Sequence, residues 1–268
     1  MAMNLLVPEV TRTTYGAAHA HFDAAPLGFW SRAGEGTVAR LDLHPGAAVL
    51  DLCCGTGASA LPAARAVGRS GSVLGVDISK PLLDIARSKA QRERLANVRF
   101  IEADMTELAF PEESFDAIVI VFGIFFAPDM VTQVRALSRM LRRGGVLAVT
   151  TWGARMFEPL YSAFLESVRA ERAWTAEYRP WDRLTTPGEV YELMSSAGFS
   201  NAKVELEASL ERITTPEDWW NIVLGTGLRW FTDQLEPKAA ERVRHQNLAC
   251  ALGVGSVETN FIYALARK

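Results

Sequence analysis

An apolar run, Val49-Leu50-Asp51-Leu52, leads straight into Cys53-Cys54-Gly55-Thr56-Gly57, and a helical pattern begins just beyond. A short run that is apolar without alternation suits a strand covered on both faces, as inside a parallel sheet with crossover helices. Glycines in the turn let the backbone approach a ligand closely, and the following helix presents unpaired N–H groups. This segment asks for an α/β fold with a ligand at the turn.

The rest of the chain keeps to that plan. From about residue 46, strand patterns fall at 48–52, 72–76, 98–103, 116–121 and 146–151. Ser79 is placed to cap a helix with Pro81 in its first turn and Asn97 near its stop,. Asp129 is placed to cap the next, where Val131, Val134, Leu137 and Leu141 recur at helical spacing until Gly144-Gly145,. Beyond residue 152 the alternation loosens. A helix is expected at 187–197, closed by Gly198, then a strand through Ala202, Val204, Leu206 and Ala208, and a last strand at 259–266. Stretches 153–185 and 211–250 fit neither element. The expected organisation is an N-terminal helical segment (1–45), a ligand-binding core (46–152), and the remaining sheet elements (about 186–208 and 257–268) with cap insertions (about 153–185 and 211–250).

A length of 268 residues allows one large α/β domain or two small ones, and 49% hydrophobic side chains supply a full core,. With 28 basic against 31 acidic residues and no Lys/Arg stripe, a nucleic-acid footprint is not expected,. The cluster Arg87, Lys89, Arg92 and Arg94, interrupted by Glu93, reads as a solvated helix face,. Cys53, Cys54 and Cys250 make no disulfide framework, and no Cys/His set has metal-ligand spacing, so no metal is expected,. Residues 1–10 lack a basic stretch and are cut by Pro8 and Glu9, unlike a signal peptide,. The longest uncharged run, 117–128, falls short of the ~20 residues a bilayer requires,. A cytoplasmic protein is the default expectation.

An acid, Asp77, ends the second strand about 20 residues after Gly55, where a carboxylate meets a ribose diol in dinucleotide folds,. Gly55-x-Gly57-x-x-Ala60 also fits the loose nicotinamide fingerprint, so the turn alone is ambiguous,. Four further features bear on it: Asp51 before the glycines, Glu102-Ala103-Asp104-Met105 at the third strand, Phe115-Asp116 introducing the fourth, and Arg142-Arg143-Gly144-Gly145 preceding the fifth. Taken together, "LDLCCGTG", "VDIS", "EADMTELAFPEESFD", "VFGIFFAPD" and "LRRGGVLAVTTW" resemble the class I S-adenosylmethionine-dependent methyltransferases, most closely the ubiquinone and menaquinone C-methyltransferase branch. The resemblance is strong over about 15–152 and weak over 186–208.

That resemblance implies a Rossmann-like, doubly wound, seven-stranded and mostly parallel sheet, with an antiparallel last strand and helical cap insertions. It implies S-adenosylmethionine as cofactor and a small organic acceptor methylated at O, C or N. Gly55, Thr56 and Gly57 would hold the methionine end, with Asp51 organising the loop near the ammonium. Asp77 would take both ribose hydroxyls, Ile78 and Leu82 would lie against the adenine, and Asp104 would accept from its amino group beside the Met105 backbone,. Val121 would add backbone contacts to the methionine part, and Tyr15 lies on a helix resembling the one that closes over the cofactor in this family.

On that helix Tyr15, His19 and Phe22 share a face at helical spacing, which makes His19 the candidate general base,. Some relatives place histidines after the fourth strand, where this chain has Ile124-Phe125-Phe126, a departure that suggests an apolar acceptor pocket. Of seven tryptophans only Trp30 precedes residue 150, and Trp152, Trp174, Trp181, Trp219, Trp220 and Trp230 suggest an aromatic cap able to stack on a planar or cationic acceptor,. Two rival readings stay open. A nicotinamide oxidoreductase would want a relay such as Tyr-x-x-x-Lys, and no tyrosine here has Lys four residues on. A non-catalytic cofactor-binding protein would bind without turnover.

Overall fold

The computed structural model describes residues 2–173 and 177–268, with side chains from Pro8 onward. Strands β1 (Ala48–Leu52), β2 (Ser72–Asp77), β3 (Val98–Glu102), β4 (Phe115–Val121) and β5 (Leu141–Trp152) form the parallel part of a seven-stranded sheet. Its order is completed by β9 (Phe261–Arg267) and β6 (Lys203–Glu207), giving β3-β2-β1-β4-β5-β9-β6. β9 runs antiparallel to both of its neighbours. This departs from the all-parallel 3-2-1-4-5-6 order of dinucleotide folds. A separate hairpin-like pair joins β7 (Leu210–Arg212) to β8 (Ser256–Glu258).

β1 is central, paired with β2 and β4, and Val49, Leu50, Asp51 and Leu52 are at most 1% exposed. Helices α2 (Phe29–Ala39), α3 (Ala60–Val67) and α4 (Lys80–Arg92) cover one face, where Val38, Ala63, Val67, Leu83 and Ala86 share a core cluster with Val49 and Val119. On the other face α5 (Met130–Met140) and α7 (Pro187–Ser196) bury Val134, Leu137, Val190 and Met194 against Leu50, Ile118 and Leu147. Apolar side chains on both faces of each central strand account for the unbroken runs in the sequence.

Helix ends follow local chemistry, with three departures from expectation. Asp129 caps α5 through its carboxylate on the Thr132 N–H. Ser79 occupies the cap position of α4, but its hydroxyl makes no capping bond. Asn97 instead closes α3 from outside, donating to the Ala64 and Gly68 carbonyls at 2.8 Å each. α5 stops at Met140, before the glycine pair, because buried Leu141 is already extended and pairs with Phe115. The glycines sit in a register shift where β5 meets β4.

The two unassigned stretches are helical. Residues 153–185 contain α6 (Leu160–Glu171) and a 3-10 turn at Pro180–Arg183. Residues 211–250 form α8 (Pro216–Leu224), α9 (Arg229–Asp233) and most of α10 (Pro237–Ala251). Together with the N-terminal α1 (Ala2–Ala18) they stand over the C-terminal strand ends, and a third, aromatic-rich cluster fills the space between. Among the described residues no helix is long and apolar enough to cross a membrane.

α2 approaches the glycine turn through Gly34, where an added Cβ would lie 2.3 Å from the Ala58 carbonyl oxygen. Gly34→Ala is expected to destabilise the fold by about 1–3 kcal/mol in urea unfolding, since backbone must move. Gly16→Ala, in open space on α1, should be neutral or stabilising by up to about 1 kcal/mol.

Candidate active site

Strand β1 ends in a turn that only small or strained residues can follow: Cys53 has φ 56°, Gly55 φ 52° and Gly57 φ 90°. The turn opens at the crevice between β1 and β4, where successive connections leave the sheet in opposite directions, the usual ligand position in open α/β sheets,. A cavity lies there with about 940 Å3 of empty space, counted out to its open mouth. Cys53, Cys54 and Gly55 come to it from β1, Val76, Asp77 and Ile78 from β2, Ala103 to Thr106 from β3, and Val121 and Phe122 from β4. α1 roofs it with Pro8, Thr11 and Tyr15. The roof is tied down by the Arg12–Glu102 ion pair at 3.0 Å and by a hydrogen bond between the Thr11 and Tyr178 hydroxyls.

Asp77 is the hinge of the site. Its Oδ2 accepts the Gly55 N–H and its Oδ1 the Ser79 N–H, both at 2.8 Å. Each oxygen keeps acceptor capacity toward the cavity. Burial pushes its carboxyl above the usual range, against hydrogen bonds from the Ser79, Gly55 and Ile78 backbone that favour the charge. Asp104 also borders the cavity, with Oδ1 engaged by the Thr106 N–H and hydroxyl. Ile78, Leu82 and Met105 supply apolar wall between the two acids.

Asp51 lies beneath the turn, fully buried. Its Oδ2 accepts from the Ser59 hydroxyl at 2.7 Å, while Oδ1 makes no hydrogen bond. Thr56 and Gly57 are not among the cavity-lining residues. The Thr56 hydroxyl donates to Asp23 at 2.8 Å and receives the Lys89 ammonium at 2.9 Å, an arrangement that braces the turn from behind. Lys89 is thus part of this brace, not of a solvated face. An unmet buried acceptor, two acids placed beside a glycine turn and an apolar slot between them fit a cationic nucleoside such as S-adenosylmethionine.

The opposite wall is aromatic. Phe22 stacks on Trp30 at 5.0 Å, and Tyr15 meets Phe126 edge-on at 5.7 Å. His19 does not belong to it. α1 ends at Ala18, so helical spacing no longer applies, and the exposed His19 turns its Nδ1 onto the Gly16 carbonyl. It borders a shallow hollow with Lys80 and Asp84 on α4 instead. His21 pairs with Asn221. Phe22 still reaches the cavity, through the turn after the helix. Trp30 and Cys53 also line it: Trp30 stood out in the sequence only as the lone early tryptophan, and Cys53 only as part of the turn motif. Trp219 is core to the cap, donating to Asn247, and Trp220 and Trp230 pack beside that cluster. Trp174 lies outside the described residues.

Nucleophiles and bases are muted here. Burial, with Asp77 and Asp51 close by, holds the Cys53 and Cys54 thiols well above their ordinary range. Burial likewise raises Tyr15, and a hydrogen bond from the Gly227 backbone offsets it only partly. Among the described residues no group of three or more His, Cys, Asp or Glu side chains could hold a metal ion.

Burial, opposed by the Ser59 hydrogen bond and reinforced by Asp77, lifts the Asp51 carboxyl to about 7. In the unfolded chain it titrates near 4. This carboxyl therefore binds more protons in the folded state between these values, and the stability it contributes falls as pH rises from about 4 to about 7. The full loss is on the order of 4 kcal/mol. Thermal unfolding of the ligand-free protein should show this decline as the difference between wild type and Asp51→Asn across that pH range.

Comparison with known proteins fits this geometry. A methyltransferase-domain family model matches residues 49–145, the stretch from β1 through β4 to the start of β5. A demethylmenaquinone methyltransferase of Geobacillus sp. (strain WCH70) is 30% identical over 187 residues, covering 64% of this chain and 78% of the relative. Among solved structures, the YcgJ protein of Bacillus subtilis superposes with TM-score 0.60 at 19% identity, over 88% of this chain and 98% of that one. Phosphoethanolamine N-methyltransferase 2 of Haemonchus contortus, in complex with S-adenosyl-L-methionine, gives 0.59 at 20% identity over 96% and 57%. These findings give the nicotinamide alternative no support. With its sheet order, its glycine turn and these relatives, the chain belongs to the class I S-adenosylmethionine-dependent methyltransferases of the ubiquinone/menaquinone type, enzymes that methylate small molecules.

Proposed function

We propose that the chain methylates a small, planar, apolar acceptor whose nucleophilic atom needs no base from the protein. The observation that carries this reading is a single cavity with an acidic half beside the glycine turn and an aromatic half opposite. In the acidic half, Asp77 would hold the ribose hydroxyls with its remaining lone pairs, Ile78 and Leu82 would flank the adenine, and Asp104 with the Met105 backbone would meet its edge. Gly55 and Val121 would follow the methionine chain, with Asp51 as counter-charge beneath its ammonium. The brace at Thr56 and the left-handed Gly57 would keep the turn in shape.

S-adenosylmethionine supplies a methyl group already activated on a sulfonium, with a neutral leaving group. The protein's part is then to place the acceptor in line and to keep water out. Trp30, Phe22, Phe122 and Phe126 offer an apolar face for that, and protonated Tyr15 can donate a hydrogen bond that orients the acceptor. Such a wall suits an electron-rich ring carbon of a neutral aromatic, which loses its C–H proton to water once the methyl group has been transferred. The reduced, quinol form of the demethylmenaquinone in the relative's name is of this chemical kind.

Calorimetric titration with S-adenosylhomocysteine should show Asp77→Ala binding about 10- to 100-fold more weakly, or roughly 1.5–3 kcal/mol. Unchanged affinity would remove Asp77 from the ribose. Affinity of the wild-type protein should rise between pH 5.5 and 7.5, because an ammonium near Asp51 favours its ionised form and binding then releases a proton. His19→Ala should leave turnover of a reduced demethylnaphthoquinone unaltered from pH 6 to 9, followed by mass spectrometry of the methylated product. A loss of turnover there would restore the histidine as a base.

A further inference from the structure

Two smaller hollows lead on from the main cavity in series, each sharing wall residues with the one before it. Tyr15 and Trp30 border both the main cavity and a narrow inner void, about 210 Å3 of empty space counted out to its open edges. Trp152, Met156 and Trp181 border both that void and an outer hollow of about 600 Å3. The outer hollow opens between the loop after β5 and Thr185, with Arg155, Glu158 and Asp182 at its rim. Resting on the acceptor reading above, we propose that the acceptor enters through this aromatic passage, separately from the cofactor, and that Trp181 is its gate.

The polarity of the passage favours an apolar ligand. Its inner section is walled by rings, Met156, Leu228, Gly227 and the single hydroxyl residue Thr226, with no charged side chain among the described lining residues. Charged groups appear only at the outer rim, where they stay in contact with water. An apolar molecule sheds its hydration on moving inward, whereas a charged one would find no partner there.

Trp181 has the attributes of a movable stopper. It is 4% exposed, and its Nε1 donates a hydrogen bond to the Tyr161 hydroxyl at 3.2 Å. Its ring lies over Gly227 so closely that any Cβ there would fall 2.3 Å from it. The segment carrying it, Pro180–Arg183, is a 3-10 turn, a conformation with weaker hydrogen-bond geometry than an α-helix,. Entry through the cofactor side would instead require displacing α1, which is pinned at Arg12–Glu102 and Thr11–Tyr178. Swinging one indole is the smaller motion.

The test uses the full chain loaded with S-adenosylhomocysteine and three probes: 1-naphthol, and 1-naphthol bearing a butyl or an octyl chain at C4. Wild-type affinity should grow at least tenfold from the bare ring to the octyl compound. Met156→Trp, which fills the inner void, should erase most of that gain while leaving S-adenosylhomocysteine affinity within twofold. Met156→Phe is the milder replacement should the larger ring impair folding. Trp181→Ala should speed association of the octyl compound at least fivefold in stopped flow. Equal chain-length dependence in wild type and the Met156 variants, or unchanged association in Trp181→Ala, overturns the passage. Failure of the wild-type protein to bind S-adenosylhomocysteine overturns the proposed function instead.

Discussion

One carboxylate joins the two strand ends on which the site is built. Asp77 accepts the Gly55 N–H from the turn after β1 and the Ser79 N–H from the start of α4, each at 2.8 Å. Both bonds go to an ionisable acceptor inside a poorly solvated pocket, so they offset the cost of taking that charge out of water. A left-handed backbone at Cys53, Gly55 and Gly57 needs such over-determination to persist,. The far side of the turn is braced by Asp23, Thr56 and Lys89. Clamped from both sides, the loop can present its N–H groups and glycine surface at a fixed distance from a bound ligand.

Above this frame the cap is organised by ring packing. Phe122 stacks on Trp152 at 4.1 Å, and Trp30 stands edge-on to both at 5.3 and 5.6 Å. Those contacts carry the aromatic cluster from β4 and β5 up to α2, while Trp219, Asn247 and Ser167 satisfy one another's polar groups inside the helices. The result is a dry layer over the strand ends, suited to a reaction that depends on alignment and water exclusion more than on proton transfer.

Much of the sheet was legible because its signals are local. Continuous apolar runs at 48–52 and 116–121 can be satisfied only by cover on both faces,. The glycine turn and the acids after β2 and β3 were legible too, since each sits at a strand end and strand ends converge in a parallel sheet. The rest depended on contacts across the chain. His19 looked like a base only while the helix was imagined to continue past Ala18. Lys89 looked solvated until Asp23 and Thr56, 66 and 33 residues away, supplied its partners. Tryptophans could be counted, but their directions could not.

The sequence by itself therefore determined the open α/β sheet, the glycine turn and the acids set around it, because hydrophobic periodicity and backbone conformational limits act over a few residues. Only the tertiary structure decided which rings face the cavity. Trp30 and Phe22 line it, Trp152 and Trp181 line the passage beside it, and Trp219 is sunk in the cap. Which face of a side chain meets ligand and which meets core is fixed by how distant helices pack. That outcome depends on shape complementarity among segments as far apart as α1, α6 and α8, and no local pattern encodes it.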